Sequence, residues 1–86
     1  MPRAPLNIVG PQVRRLRNAA GLSQPALAAV CQRRGWDIER DTIAKIEGGT
    51  RWVCDSELLE LAKALGAPMV DLFPARVQGI LRGRRS

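Results

Sequence analysis

The chain has 86 residues, a formal net charge of +6 and no histidine, so it has room for one small domain and favours an acidic partner. An isoelectric point near 11.0 agrees with a polyanionic partner, because clustered Lys and Arg side chains release counterions from phosphates. No stretch approaches the roughly 18–20 consecutive apolar residues that span a bilayer, and the N-terminal letters MPRAPLN lack the apolar core of a secretory signal.

The charge is sorted into blocks along the chain. Residues 1–53 carry nine basic and four acidic groups, residues 54–73 carry one and four, and residues 74–86 carry four and none. Solubility alone does not require such blocks, so they favour a charged binding surface. Cys31 and Cys54 have neither CxxC spacing nor a histidine to join them, so we expect no metal site and no cofactor. Both thiols are predicted to be buried in a protein of the reducing cytoplasm.

Helices dominate the predicted architecture, because no run alternates with period two for long enough to form a sheet. Pro11 suits the first turn of a first helix, and Gly21 is suited to end it. Between them, apolar side chains recur at steps of three and four residues, namely Val13, Leu16 and Ala20.

A second helix is predicted to follow Ser23, a good N-cap residue, with Pro25 in its first turn. A third helix is expected to begin within residues 37–40, where either Glu39 or Asp37 is the cap, and to end at residues 48–49. The apolar stripes of these two helices are Leu27, Val30 and Cys31, then Ile43 and Ile46.

The remaining elements are a fourth helix from Asp55, its predicted cap, to Leu65, and a short fifth helix over residues 69–73 that Pro74 ends. We expect residues 8–74 to form the domain, preceded by a flexible segment at residues 1–7. Residues 75–86 are basic and contain two glycines, so they are expected to form a frayed tail.

Four pieces of the sequence point to a known family when they are taken together. They are GPQVRRLR, GLSQPALA, TIAKIEGG and LLELAKALG with a following DLF, in this order and at sensible spacing. Through them, residues 10–73 resemble the Cro and lambda-repressor type of helix-turn-helix protein, the Xre family. The resemblance implies an all-α fold of five short helices, with helices 2 and 3 as the helix-turn-helix, in a DNA-binding dimer. The segment CQRRGWD departs from the family by adding about five residues between these helices, so either helix 2 gains a turn or the loop lengthens.

The resemblance assigns the outward positions of helix 3 to base contacts. Arg40 has the strongest physical basis, because a guanidinium at the start of that helix can bond guanine O6 and N7 together. Asp41 could accept from cytosine N4 or could hold Arg40 in its rotamer, and Lys45 could reach a base or a phosphate. Thr42 lies beside them.

The family also places contacts to the DNA backbone at both ends of the motif. They fall on Ser23 and Gln24 at the start of helix 2, and on Thr50 and Arg51 after helix 3. Carried over in the same way, Arg17 and Glu47 form an ion pair that ties helix 1 to helix 3 and is structural. Trp36 and Trp52 are predicted to be packing residues and not DNA wedges.

These residues favour a sequence-specific transcriptional regulator, most simply a repressor, that reads a pseudo-palindrome in double-stranded DNA as a homodimer. The acidic and apolar stretch over residues 55–73 is the expected dimer surface. One alternative is a protein-interaction module of the same fold, which the acids Glu39 and Asp41 favour, and another is the antitoxin of a toxin–antitoxin pair. An enzyme is not indicated, because no nucleophile–base pair and no phosphate-binding glycine loop is present.

Overall fold

Helices provide all the regular structure in residues 4–83, the part of the chain that the computed structural model describes. In chain order they are α1 (Gly10–Ala19), α2 (Gln24–Arg33), α3 (Arg40–Glu47), α4 (Asp55–Leu65), a one-turn 3-10 helix (Met69–Leu72) and α5 (Ala75–Leu81). The predicted all-α class is confirmed. The fifth predicted helix is the 3-10 turn, and α5 comes in addition to it.

The core lies between α1, α2, α3 and α4, and the 3-10 helix closes it. Burial of each aliphatic side chain contributes about 1.5–3 kcal/mol relative to leaving it in water, so this cluster supplies most of the driving force for folding. Its largest fully buried members are Val13, Leu27, Cys31, Ile43, Ile46, Leu61 and Leu72, and the first five of them belong to the predicted apolar stripes.

The first turn of α1 lies against the last turn of α3. Gly10 makes this approach possible, because a Cβ at that position would lie 2.7 Å from the carbonyl oxygen of Glu47 and closer still to that of Ile46. The Asn7 side chain completes the junction: its Oδ1 accepts from the amides of Val9 and Gly10, at 3.0 and 2.8 Å. The position of α3 relative to α1 is therefore set by backbone contact.

The connection between α2 and α3 comprises residues 34–39, so the additional residues lengthen the loop. Several hydrogen bonds hold it to the end of α2: among them, Gln32 Nε2 donates to the carbonyl of Ile38 at 2.7 Å, and the amide of Trp36 donates to the carbonyl of Cys31 at 2.9 Å. Ile38 is buried and Trp36 packs against the core. Glu39 is the cap residue of α3, although its side chain makes no capping hydrogen bond.

The two ends of the described chain differ from the expected flexible segments. The amide of Leu6 donates to the carbonyl of Gly49 at 2.7 Å, and Asn7 Nδ2 donates to the carbonyls of Ile46 and Arg51. At the other end, residues 75–81 form α5 where we expected a frayed tail. Pro74 ends one element and precedes the first turn of the next, a second position that suits proline. Residues 1–3 and 84–86, which belong to the same two predictions, lie outside the described residues.

Two burial predictions were half right. Cys31 is buried, and this burial raises the pKa of its thiol, but Cys54 is exposed. Cys54 stands at the N-cap of α4, the position that we predicted for Asp55. Trp36 packs against the core as expected, whereas Trp52 is 72% exposed. Both wrong predictions fall in residues 52–54, between two helices, where sequence periodicity gives no information on which side chains face the core.

Candidate nucleic-acid interface

The α3 helix has one buried face and one exposed polar face. Ile43 and Ile46 are fully buried and fix the helix against the core. The opposite face presents Arg40, Asp41 and Lys45 to solvent. Successive residues of an α-helix are rotated by about 100°, and this pattern therefore directs the three charged side chains away from the domain.

The structure brings two of the predicted base-contacting residues together. Arg40 Nη2 donates to Asp41 Oδ1 at 3.2 Å, and both side chains remain mostly exposed. Of the two roles that the sequence left open for Asp41, this contact agrees with holding the Arg40 rotamer. Arg40 keeps its other guanidinium donors for a ligand, because this bond uses only one of five N–H groups. Lys45 lies one turn after Asp41, and Thr42 is half-buried beside them.

A carboxylate with no exposed side-chain surface lies behind this face, at the C-terminal end of α3. Glu47 accepts two hydrogen bonds from Arg17, Nε to Oε2 at 2.6 Å and Nη2 to Oε1 at 3.0 Å. Gln24 Nε2 and Arg14 Nε also donate to Oε1, at 3.1 and 3.4 Å. Residues of α1, α2 and α3 thus meet at one carboxylate, and we call these four residues the Glu47 cluster.

The hydrogen bonds within the Glu47 cluster keep the Glu47 carboxylate ionised. Burial by itself raises the pKa of the Glu47 carboxyl, but the hydrogen bonds from Arg17, Gln24 and Arg14 outweigh this effect, so the pKa lies below its usual range. The hydrogen bond to Glu47 likewise raises the pKa of Arg17. The predicted pair Arg17–Glu47 is therefore a bidentate, charge-assisted contact that fixes the angle between α1 and α3.

Two members of the Glu47 cluster have places that the sequence did not suggest. Gln24 was expected to face a DNA phosphate, and its amide instead donates to Glu47. Arg14 was assigned no role, although its position three residues before Arg17 places both on one side of α1. Ser23 is the N-cap of α2 as predicted, and its Oγ accepts from the amide of Ala26 at 3.1 Å.

Thr50 and Arg51, the two residues after α3 that were predicted to contact the DNA backbone, have different surroundings. Thr50 is exposed, and its amide donates to the carbonyl of Lys45 at 2.9 Å. Arg51 is not a free cation: its Nη1 and Nη2 donate to Glu57 Oε1 and Oε2 at 2.9 and 3.0 Å. These bonds lower the pKa of the Glu57 carboxyl and raise that of Arg51. A guanidinium paired in this way has little net charge to offer a phosphate.

The described residues contain no group of three or more His, Cys, Asp and Glu side chains arranged to hold a metal ion. In the same part of the chain, none of the helices has the length and apolar character needed to cross a membrane.

A model of the helix-turn-helix domain matches residues 8–75, which contain α1 to α4 and the 3-10 helix. The chain belongs to this helix-turn-helix family. The resemblance to the Cro and lambda-repressor type that the four sequence pieces carried is thereby confirmed. A search of curated protein sequences found no match.

Two solved structures are similar to this helix-turn-helix protein. The restriction-modification controller protein C.AhdI from Aeromonas hydrophila is 35% identical, with a TM-score of 0.67 over 76% of this chain and 87% of that one. The DNA-binding domain of BldD is 30% identical, with a TM-score of 0.69 over 86% of this chain and 100% of that one. Both comparisons support the five-helix fold class.

Proposed function

We propose that this helix-turn-helix protein is a sequence-specific transcriptional regulator, most simply a repressor, that acts in the cytoplasm by binding DNA and catalyses no reaction. It reads the major groove with α3 and acts as a homodimer on a pseudo-palindromic site. The observation that carries the proposal is the exposed face of α3, where Arg40, Asp41 and Lys45 project from a helix whose other face is immobilised by Ile43 and Ile46.

Rigidity on one face and charge on the other suit the reading of base edges. A bidentate contact from arginine to guanine contributes about 1–3 kcal/mol of discrimination, provided that the helix holds the side chain in register with the groove. The Glu47 cluster supports this register, because it fixes α3 to α1 and α2. The similarity to C.AhdI, a controller protein, and to a domain described as DNA-binding supports the same function.

Salt titration of DNA affinity tests this proposal. Each neutralised phosphate releases counterions, so log affinity is expected to fall steeply with log salt, by roughly 0.9 for each contact. Lys45→Ala is expected to weaken binding. Lys63→Ala is a matched control, because Lys63 is an exposed lysine on α4, away from α3, and its loss should leave the affinity unchanged. A wild-type protein with no affinity for duplex DNA at low salt would contradict the proposal.

A protein-binding module is the second candidate, and one observation favours it. Asp41 neutralises part of the charge of Arg40, and Glu39 adds a second exposed acid at the start of α3. Such a module would show no salt-dependent affinity for DNA, so the same titration separates the two functions.

A further inference from the structure

The connection between α2 and α3 leads directly into the first turn of α3, which carries Arg40 and Asp41. Glu39 is the cap residue of that helix, and its side chain makes no capping hydrogen bond. The first turn of a helix leaves backbone amides without partners, and without a side-chain cap such an end frays more easily. The position of Arg40 therefore depends on how the end of the connection is held.

Two contacts hold the end of this connection, one apolar and one polar. Ile38 is 3% exposed and belongs to the hydrophobic core. Its carbonyl oxygen accepts from Gln32 Nε2 at 2.7 Å. Within residues 4–83, this is the one hydrogen bond that joins residues 37–39 to an element other than α3. Apolar burial has no direction, whereas a hydrogen bond does, so the bond from Gln32 orients the peptide that the core contact merely places.

The start of the connection is held to α2 by its own backbone. The amide of Gly35 donates to the carbonyl of Gln32 at 3.0 Å, and the amide of Trp36 donates to that of Cys31 at 2.9 Å. Gly35 has a φ of +93°, a left-handed conformation that turns the chain away from the helix axis. These backbone bonds do not reach residues 37–39. The Gln32 side chain is thus what ties the last turn of α2 to the start of α3.

We propose that Gln32 is a positioning residue for base reading: its amide holds the Ile38 peptide so that α3 begins with Arg40 in register with the DNA groove. Gln32 is itself exposed, so water can replace its bond, and the loss should cost little stability. Water satisfies the Ile38 carbonyl but does not tie it to α2. A bidentate contact to a base tolerates little displacement, so discrimination should suffer more than folding. The inference rests on the proposed reading of DNA by α3 and adds a residue outside that helix.

Gln32→Met tests the inference, because methionine has a similar length and helix propensity but no N–H donor. Gln78→Met is the matched control, since Gln78 Nε2 donates to the carbonyl of Phe73 at 2.8 Å and lies in α5. The affinity for the selected duplex is compared with that for a duplex changed at the base pair that Arg40 reads. This ratio is expected to fall about three- to tenfold in Gln32→Met and to stay unchanged in Gln78→Met. Gln32→Ala, which removes the whole amide, should behave like Gln32→Met.

A double variant shows whether Gln32 acts through Arg40. Gln32→Met combined with Arg40→Ala is expected to discriminate no worse than Arg40→Ala alone, because both changes remove the same contact. The slope of log affinity against log salt should be the same in Gln32→Met and the wild type, since no phosphate contact is lost. A residue that only stabilised the fold would leave the ratio of the two affinities unchanged.

Hydrogen exchange of the free protein tests the same bond without DNA. The amides of Thr42 and Ile43 donate to the carbonyl of Glu39 in the first turn of α3, at 3.0 and 3.1 Å. In Gln32→Met these two amides are expected to exchange about threefold faster or more, because the first turn opens more often. The amide of Gly48, at the other end of α3, should exchange at an unchanged rate.

Four results would overturn the inference. Unchanged discrimination in Gln32→Met, in a protein that binds with a steep salt slope, means that α3 keeps its register without Gln32 and leaves the proposed function intact. An equal fall in Gln78→Met assigns the effect to general stability. Lower discrimination without faster exchange in the first turn means that Gln32 contacts DNA itself. Failure of the wild-type protein to select any sequence refutes the proposed function, and the inference with it.

Discussion

Two arginine–carboxylate pairs involve opposite sides of α3, and they differ in nearly every property that decides their role. Arg17 and Glu47 have side chains that are 11% and 0% exposed, whereas those of Arg40 and Asp41 are 64% and 74% exposed. The first pair is bidentate and joins separate helices; the second has one bond between neighbours in the sequence. An arginine–carboxylate pair therefore stabilises the fold on one side of α3, and a pair of the same type remains accessible to a ligand on the other side.

Water accounts for the difference. An exposed pair exchanges its contacts with solvent and contributes about 0–1 kcal/mol to stability, so its side chains can bind a ligand at little cost to the fold. A buried pair contributes little by its formation, but the loss of one partner leaves the other charged and without water. Breaking the two pairs should thus have opposite consequences for folding and for recognition.

The largest expected effect is that of Arg17→Ala. We expect the free energy of unfolding to fall by about 3–5 kcal/mol, because Glu47 loses both of its strongest hydrogen bonds inside the protein. Chemical denaturation followed by circular dichroism measures this loss. Arg15→Ala is the control: Arg15 is exposed on the same helix and donates to the nearby Gln12 side chain, so its loss should cost less than about 0.5 kcal/mol. Equal stability of the Arg17 variant and the wild type would contradict a structural role.

Acid should weaken the same pair without a mutation. The folded-state pKa of Glu47 is lowered, so its contribution to stability is present above the unfolded pKa of about 4.3 and is lost as pH falls through the folded value. We expect the difference in unfolding free energy between the wild type and Glu47→Gln to shrink as pH falls below about 4, because a protonated glutamate resembles glutamine. A difference that does not depend on pH would show that the ionised form of Glu47 is not what stabilises the fold.

Gly10→Ala should have the next largest effect. The new methyl group would press on the carbonyl oxygens of Ile46 and Glu47, which are backbone atoms, and overpacking of this kind costs about 1–3 kcal/mol. Gly48→Ala is the matched control, since a Cβ there lies 3.3 Å from the carbonyl oxygen of Ala44 and the backbone is right-handed helical. Thermal unfolding of both variants compares them. A Gly10 variant as stable as the Gly48 variant would show that α1 and α3 can move apart freely.

Much of this arrangement follows from sequence patterns. The apolar stripes that contain Leu27 and Ile46 predicted the buried faces of α2 and α3, because helical periodicity is a local property. The ion pair Arg17–Glu47 came from the family resemblance, and the structure joins the two residues.

Features that depend on how distant elements meet could not be predicted in this way. Gln24 turns to Glu47 because α1, α2 and α3 converge there, and nothing in the neighbouring sequence indicates this. Trp52 lies in a loop that hydrogen bonds from the N-terminal segment hold in place, and the neighbouring sequence does not indicate that it is exposed. The residues of α5 resemble a basic tail with glycines in the sequence, and their position in the fold depends on contact with the 3-10 helix.

The smallest effect on folding is expected for the exposed pair. Arg40→Ala and Asp41→Ala should each change the free energy of unfolding by less than about 0.5 kcal/mol, because water replaces the single hydrogen bond that is lost. Denaturation curves under the conditions used for Arg17→Ala provide the comparison. A loss above about 1 kcal/mol in either variant would mean that this face of α3 also serves the fold.

Selection of bound sequences from a random DNA pool, carried out side by side with the wild type and Arg40→Ala, tests the central claim that the exposed face of α3 reads bases. We expect the wild type to select two half-sites in inverted orientation, and Arg40→Ala to lose preference at one base pair in each half-site while the remaining positions stay unchanged. An Arg40 variant that selects the same sequence as the wild type, or binds every sequence more weakly by the same factor, would contradict that claim.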